Sequence, residues 1–184
     1  MEILTAIKRV PETGAKVNLT EDKQDIDTTS LGFTTSPHEE CAVEGSVQLV
    51  EEHGGTVTAL TMGTEEGTEQ LRSAIAMGAD DGILLETDGD KRGPTATAKA
   101  IADQVDDADA AFDLLVFGNE SADAANHHVG VRVAEELGLP VVTGIKDLEL
   151  DGDTLVAKRE IPGGSEVYEV DLPAVVTVKE GLND

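Results

Sequence analysis

The residues best suited to chemistry lie in one stretch, Gly118-Asn-Glu-Ser-Ala-Asp-Ala-Ala-Asn-His-His-Val-Gly130. It follows the strongest strand signal in the chain, residues 112–117. It runs into a helix expected over 127–137 and closed by Gly138-Leu-Pro140. A strand, a turn of small residues and a helix N-terminus together make an anion site. Unpaired backbone N–H groups and the positive end of the helix dipole meet there. Gly118 is expected to let the backbone turn sharply out of the strand, and Asp123 or Asn126 to cap the helix. Asp123 has a second reading, in which it fixes the loop against ribose or phosphate. The chemistry predicted is capture of the phosphate of an adenine nucleotide, with earlier strand ends building the rest of the pocket.

Other candidates are weighed against this one. Lys8 and Arg9 fall together at a strand exit in a chain poor in cations, so they read either as a salt-bridged surface pair or as a pocket or subunit contact. His127-His128 invites a metal reading, but adjacent helical residues point about 100° apart and do not readily share one ion. Helix-start surface or phosphate contacts suit them better. Cys41 sits on the apolar stripe of a helix and reads as core. G-x-G-x-x-G, Walker and G-x-S-x-G patterns do not occur, so a hydrolase elbow has no nucleophile here.

Composition narrows the classes. The 184 residues carry 13 Lys plus Arg against 38 Asp plus Glu, a net charge of −25. That argues against DNA, RNA and anionic membrane surfaces as partners. The acids are spread through helices and turns and read as a solvated surface suited to a salt-rich cytoplasm, where counter-ions screen self-repulsion. Met1 opens directly onto a strand signal with no cationic leader, and no apolar run approaches about 18 residues, so a soluble cytoplasmic protein without membrane insertion is expected. One cysteine excludes an intramolecular disulfide and a multi-cysteine metal site.

The elements that must position the loop alternate strand and helix. Apolar runs at 2–7, 56–62, 82–86 and 112–117 have the continuous character of buried parallel strands. Between them, helices begin at Ser36-Pro37, at Thr64 and at Pro94, each marked by a cap residue or a first-turn proline. Residues 12–35 have no helical period, and 17–19 with 26–28 could form a minor hairpin around a turn at 21–25. The fold class is therefore α/β, a mainly parallel sheet with helices on both faces, as one nucleotide-binding domain over 1–184. Ligands in such sheets bind outside the carboxyl ends of the strands, at a switch in strand order. The exits are Lys8-Arg9, Met62-Gly63, Glu86-Thr87 and Gly118-Asn119. After Pro140 the runs are short, with turn signals at 151–153 and 162–164, and an antiparallel addition at the sheet edge is expected near the C-terminus.

At this point the residues resemble a known family, the beta subunits of the electron transfer flavoproteins. The matching stretches are Ala6-Ile-Lys-Arg-Val-Pro11, Ser36-Pro37 with Glu40-Cys-Ala-Val-Glu44, Leu71-Arg-Ser-Ala-Ile-Ala-Met-Gly-Ala-Asp80, Gly118 to Gly130, Leu137-Gly-Leu-Pro140 and Leu172-Pro-Ala-Val-Val-Thr177. They lie in the family's order and span essentially the whole chain, and the Leu71–Asp80 run is highly specific. The resemblance implies the adenine nucleotide alpha-hydrolase-like fold, an electron carrier subunit without catalytic residues of its own, and a heterodimer with a larger alpha subunit that carries FAD. The beta subunit would hold a buried structural AMP, or a second FAD in its place in electron-bifurcating relatives. Electrons would arrive from acyl-CoA or other dehydrogenases and leave to a quinone oxidoreductase.

By position, the resemblance implies nucleotide contacts at Ala6, Ser36, Pro37, His38, Glu39 and Met62. It implies them also along the loop Gly118, Asn119, Glu120, Ser121, Ala122, Asp123, Ala124, Ala125, Asn126, His127, His128 and Val129. The chain departs from the family pattern where Ser36 replaces an asparagine, where Asp123-Ala-Ala125 replaces Asp-Gly-Asp, and where His128 replaces a glutamine. Family members continue into an arm that wraps the alpha subunit and a loop that recognises dehydrogenases, and this arm is expected to be absent here. The alternative is a stand-alone adenine-nucleotide-binding module of the universal-stress type. The missing arm leans towards it and the specific motifs lean against it.

Overall fold

In the computed structural model, residues 1–90, 92–109 and 111–183 are described. The stretch 87–93 between the strand exit at Glu86-Thr87 and the helix start at Pro94, and the chain end 180–184, each include one residue outside that set, Lys91 and Asp184. The central sheet begins with β1 (Glu2–Ile7). Short β2 (Arg9–Pro11) and β5 (Phe33–Thr35) pair antiparallel, and β3 (Asn18–Leu19) with β4 (Ile26–Asp27) forms the small hairpin expected in the 12–35 excursion. Helix α1 (Pro37–His53) leads to β6 (Thr56–Gly63), and a 3₁₀ turn at Glu65–Gly67 leads into α2 (Thr68–Met77) and β7 (Asp81–Glu86). Then come α3 (Pro94–Asp106), β8 (Leu114–Gly118), α4 (Val129–Leu137) and β9 (Val141–Ile145). Strands β10 (Asp147–Asp151), β11 (Thr154–Ile161) and β12 (Gly164–Asp171) precede β13 (Ala174–Val178).

Six strands form one parallel sheet in the order β7-β6-β1-β8-β13-β9. The chain builds outward from β1 through β6 to β7, then crosses back to β8 on the other side of β1. The two helices before that reversal and the two that follow β7 lie on opposite faces. On one face α1 and α2 cover Ile3, Ile7, Val57 and Ala59 with Ala42, Val43, Val47 and Leu71. On the other, α3 and α4 cover Leu4, Ala6, Leu60, Leu115 and Phe117 with Ala98, Ile101, Val133 and Ala134. The strands read as continuous apolar runs because alternate residues enter different cores. The buried polar pair between β1 and α1 is satisfied: Thr5 Oγ1 lies 2.7 Å from Ser46 Oγ, which itself donates to the Ala42 carbonyl.

The antiparallel strands expected near the C-terminus are present, but not as an addition to the edge of the central sheet. Strand β13 inserts between β8 and β9, inside the parallel sheet, and all five of its residues are buried. Strands β10, β11 and β12 form a separate antiparallel sheet, whose Leu155 and Ala157 pack into the same core as α1. The physical reason is burial. A strand reading Ala-Val-Val-Thr-Val has no polar face to offer solvent and belongs in the sheet interior, whereas β12 alternates exposed and half-buried positions.

Candidate functional site

The switch in strand order opens a cleft of about 500 Å³ at the carboxyl ends of β1, β6 and β8. Of the contacts implied by position, Ala6, Glu39, Met62, Gly118, Asn119, Glu120, Ser121, Asp123, Ala124, Asn126, His127, His128 and Val129 line it. Ser36, Pro37, His38, Ala122 and Ala125 line a smaller hollow on the other side of the loop, which Glu120 and Ser121 also reach. The far wall holds residues that the sequence reading left out: Thr64, Thr87, Gly89, Asp90, Arg92 and, from α3, Pro94, Thr97 and Ile101. The one available signal for them was the pairing of a strand exit at Glu86-Thr87 with a helix start at Pro94.

Lys8 and Arg9 diverge from the end of β1. Lys8 Nζ reaches across to both carboxylate oxygens of Asp123 at 2.7 Å and to Ser121 Oγ at 3.5 Å. Arg9 turns the other way, over the Phe33 ring at 3.6 Å from its centroid and towards Glu66 at 3.3 Å. Both line the cleft, so the salt-bridge and pocket readings hold together. Partial burial pushes the Asp123 carboxyl up. The hydrogen bonds from Lys8 and Ser121 and the Lys8 charge outweigh this, so it stays below the ordinary carboxylate range.

The helix after the loop starts later than expected, at Val129, with His128 flanking it and no side chain capping it. Asp123 and Asn126 are not its caps: Asp123 is engaged by Lys8. Ala125 and His127 adopt positive φ values of 47° and 54°, which keep the segment before Val129 out of the helix. His127 is held there by both ring nitrogens. Asn119 Nδ2 donates to Nδ1 at 2.9 Å, and Nε2 donates to Glu120 at 2.8 Å. Asn119 in turn accepts from Thr177 Oγ1 at 2.9 Å, and Thr177 accepts from the Gly144 amide at 3.0 Å. This chain ties the loop to β13 and β9. Among the described residues no group of three or more His, Cys, Asp or Glu side chains is arranged to hold a metal ion.

The first turn of α1 supports the loop from below. Ser36 precedes the helix as expected, yet its side chain caps nothing in α1. Its hydroxyl accepts from the Ala122 amide at 3.1 Å and donates to the Glu120 carbonyl at 3.5 Å. Gly118 is needed for close approach rather than for a turn: a Cβ there would stand 2.6 Å from Glu39 Cγ and 3.2 Å from His38 Cβ. Gly130 is alike, since its Cβ would meet Thr177 Cγ2 at 2.8 Å, so α4 lies directly on β13. Glu39 is 7% exposed and accepts the Lys8 amide at 2.5 Å. Burial pushes its carboxyl up to about 8, against the lowering effect of the Lys8 amide and ammonium. Cys41, one turn further, is half-buried against the α1 core. No helix among the described residues is long and apolar enough to cross a membrane.

The arrangement places Lys8 and Arg92 on opposite sides of a cleft whose lining also holds Glu39, Asp90, Glu120 and Asp123, with the first-turn amides of α4 lacking intrahelical acceptors beside it. Residues 25–184 match the family described as the electron transfer flavoprotein domain. The chain is 34% identical over 186 residues to the electron transfer flavoprotein subunit beta of Bacillus subtilis, a match covering all of this chain and 71% of that protein. It is 33% identical to the subunit beta of Syntrophomonas wolfei, over all of this chain and 71% of the relative. It is 30% identical to that of Dictyostelium discoideum, over all of this chain and 73% of the relative. A match of this extent, through the strand exits and the 118–130 loop alike, places the chain in the electron transfer flavoprotein family, with the beta subunits.

Proposed function

We propose that the cleft holds AMP as a structural nucleotide, and that the chain pairs with an FAD-carrying alpha subunit to pass electrons from acyl-CoA or other dehydrogenases to a quinone oxidoreductase. One observation carries the nucleotide reading. In a chain with 13 Lys plus Arg against 38 Asp plus Glu, the cleft at the carboxyl ends of the parallel strands is lined by Lys8, Arg9 and Arg92 against Glu39, Asp90, Glu120 and Asp123, so cations are enriched there. Scarce positive charge collected in a concave site marks an anionic ligand. The cleft volume of about 500 Å³ also falls in the range of small-molecule sites, roughly 300–1,000 Å³.

In this reading the Ala6 backbone and Met62 meet adenine, and the phosphate lies over the 118–129 loop, within reach of Lys8 and the N-terminus of α4. The nucleotide supplies rigidity; the flavin of the partner carries the electrons. The chain's own residues orient the nucleotide and keep the domain in shape to dock the alpha subunit.

Mass spectrometry of the small molecule released on denaturing protein purified in high salt tests the reading. AMP is expected. FAD in its place would move the chain to the electron-bifurcating type. Absence of any nucleotide from protein purified together with its alpha subunit would refute the structural-nucleotide role. Purification without an alpha subunit, nucleotide in place, would support the stand-alone module.

A further inference from the structure

The charges around the first turn of α1 do not balance if an anion enters the cleft. Glu39 lies in the cleft floor, packed against Gly118, with one oxygen accepting the Lys8 amide. The Lys8 ammonium is already matched by Asp123, at 2.7 Å from both oxygens. Arg9 is directed to Glu66, Arg92 is paired with Asp88 on the far wall, and Glu120 is taken by His127. From its own helix, Glu39 has His38 and Glu40 as titratable neighbours. Lys8 from β1 and Asp123 from the loop act on it by charge, with opposite sign. An arriving phosphate would then be a third anion around one ammonium. That arrangement is unfavourable if all three are ionised.

We propose that Glu39 is a positioning residue of the cleft and that anions bind there over its neutral carboxylic acid, so that uptake of an anionic ligand in alkaline solution is linked to uptake of a proton. The neutral acid keeps an oxygen for the Lys8 amide and so holds the β1 exit in place. It also takes one negative charge out from beneath the ligand. Burial already favours that form at neutral pH, with the carboxyl pushed up to about 8. The inference rests on the anion-cleft part of the proposed function and not on which anion is native.

The test compares the affinity of the full chain for AMP and for inorganic pyrophosphate between pH 7 and pH 9, in wild type and Glu39→Gln. The second ionisation of the AMP phosphate, at about pH 6, lies below this range. Pyrophosphate still loses a proton within it, so its profile is read as the difference between wild type and variant. Wild-type affinity for both probes is expected to fall by about tenfold relative to the variant from pH 7 to pH 9, and the AMP profile of the variant to be nearly flat. Infrared spectra of the wild type supply a measurement that needs no variant: a carboxylic acid C=O band present at pH 7 and lost above pH 8. Equal pH profiles in both proteins, or absence of that band, would overturn the proposal. Pyrophosphate binding with the Glu39-dependent profile, but no AMP binding, would leave this inference standing and refute the AMP reading. Failure of both anions to bind at pH 7 would refute both.

Discussion

Glu39 carries a stability prediction that does not depend on any ligand. Its carboxyl has an ordinary pKa of 4.5 and is pushed up to about 8 in the folded protein, mainly by burial. Between those two values the folded state holds a proton that the unfolded state has lost. Stability therefore falls as pH rises from about 4.5 to about 8, and levels off above. The gap of about three and a half units corresponds to roughly 5 kcal/mol as an upper bound, at 1.36 kcal/mol per unit. Glu39→Gln removes the titration while leaving a carbonyl oxygen to accept the Lys8 amide. Whatever fixed cost the new amide group carries is the same at every pH and cancels from the comparison. Urea unfolding of both proteins at pH 5 and at pH 8.5, at constant high salt, gives the double difference. The variant is expected to gain about 2 to 4 kcal/mol relative to wild type between the two pH values, because this window captures most but not all of the titration, the lower end allowing for residual structure in the unfolded state. The general repulsion among 38 acidic residues changes with pH in both proteins and drops out. A double difference within error of zero would refute the reasoning, because it would mean that Glu39 is ionised in the folded protein at pH 8.5 without cost.

Further outcomes follow from the supports of the loop. Ser36→Ala leaves the Ala122 amide without its acceptor, so a loss of about 1 kcal/mol and faster hydrogen exchange at Ala122 are expected, with exchange in β6 unchanged. Gly118→Ala places a methyl group 2.6 Å from Glu39 Cγ and should cost about 1 to 3 kcal/mol by chemical denaturation. Lys8→Ala breaks an ion pair whose side chains are 43% and 32% exposed, so its stability should change by less than about 1 kcal/mol. Its AMP affinity in titration calorimetry should fall about tenfold, or roughly 1.4 kcal/mol. A large stability loss with unchanged affinity would reverse that assignment.

How far the sequence reaches depends on which interactions are local. The parallel strands were legible because β1 and β8 are unbroken apolar runs, and α1 and α3 because Pro37 and Pro94 mark their first turns. The position of β13 was not legible. Its apolar run says that it is buried, but which neighbours bury it is decided by β9 and β8 across more than thirty residues of chain. The same limit applied to the site. The 118–130 loop carries a local signature, and residues of it line the cleft. Ser36 was placed before α1 correctly and given the wrong partner, because its hydroxyl bonds a segment 86 residues away. Asp123 was read as a cap by position, and Lys8, 115 residues distant, takes it instead.

Long-range contacts also hold the loop at Ala125, which takes a left-handed backbone conformation. A glycine at position 125 would ease it, and Ala125 at φ 47° carries a cost of about 1 kcal/mol. The loop tolerates that cost because it is fixed at both ends: Ser36 at Ala122, and the Thr177–Asn119–His127 chain behind it. On this side the Lys8–Asp123 pair is electrically neutral as it stands, and Glu120, bonded to His127, is the loop's other acid in the lining. An entering phosphate must draw Lys8 partly away from Asp123, and this exchange is favourable in the measure that the floor beneath carries no charge of its own. Loop, ion pair and Glu39 therefore act as one unit. Loosening the loop through Ser36 and charging the floor through Glu39 should weaken anion binding non-additively, because both act through the position of Lys8.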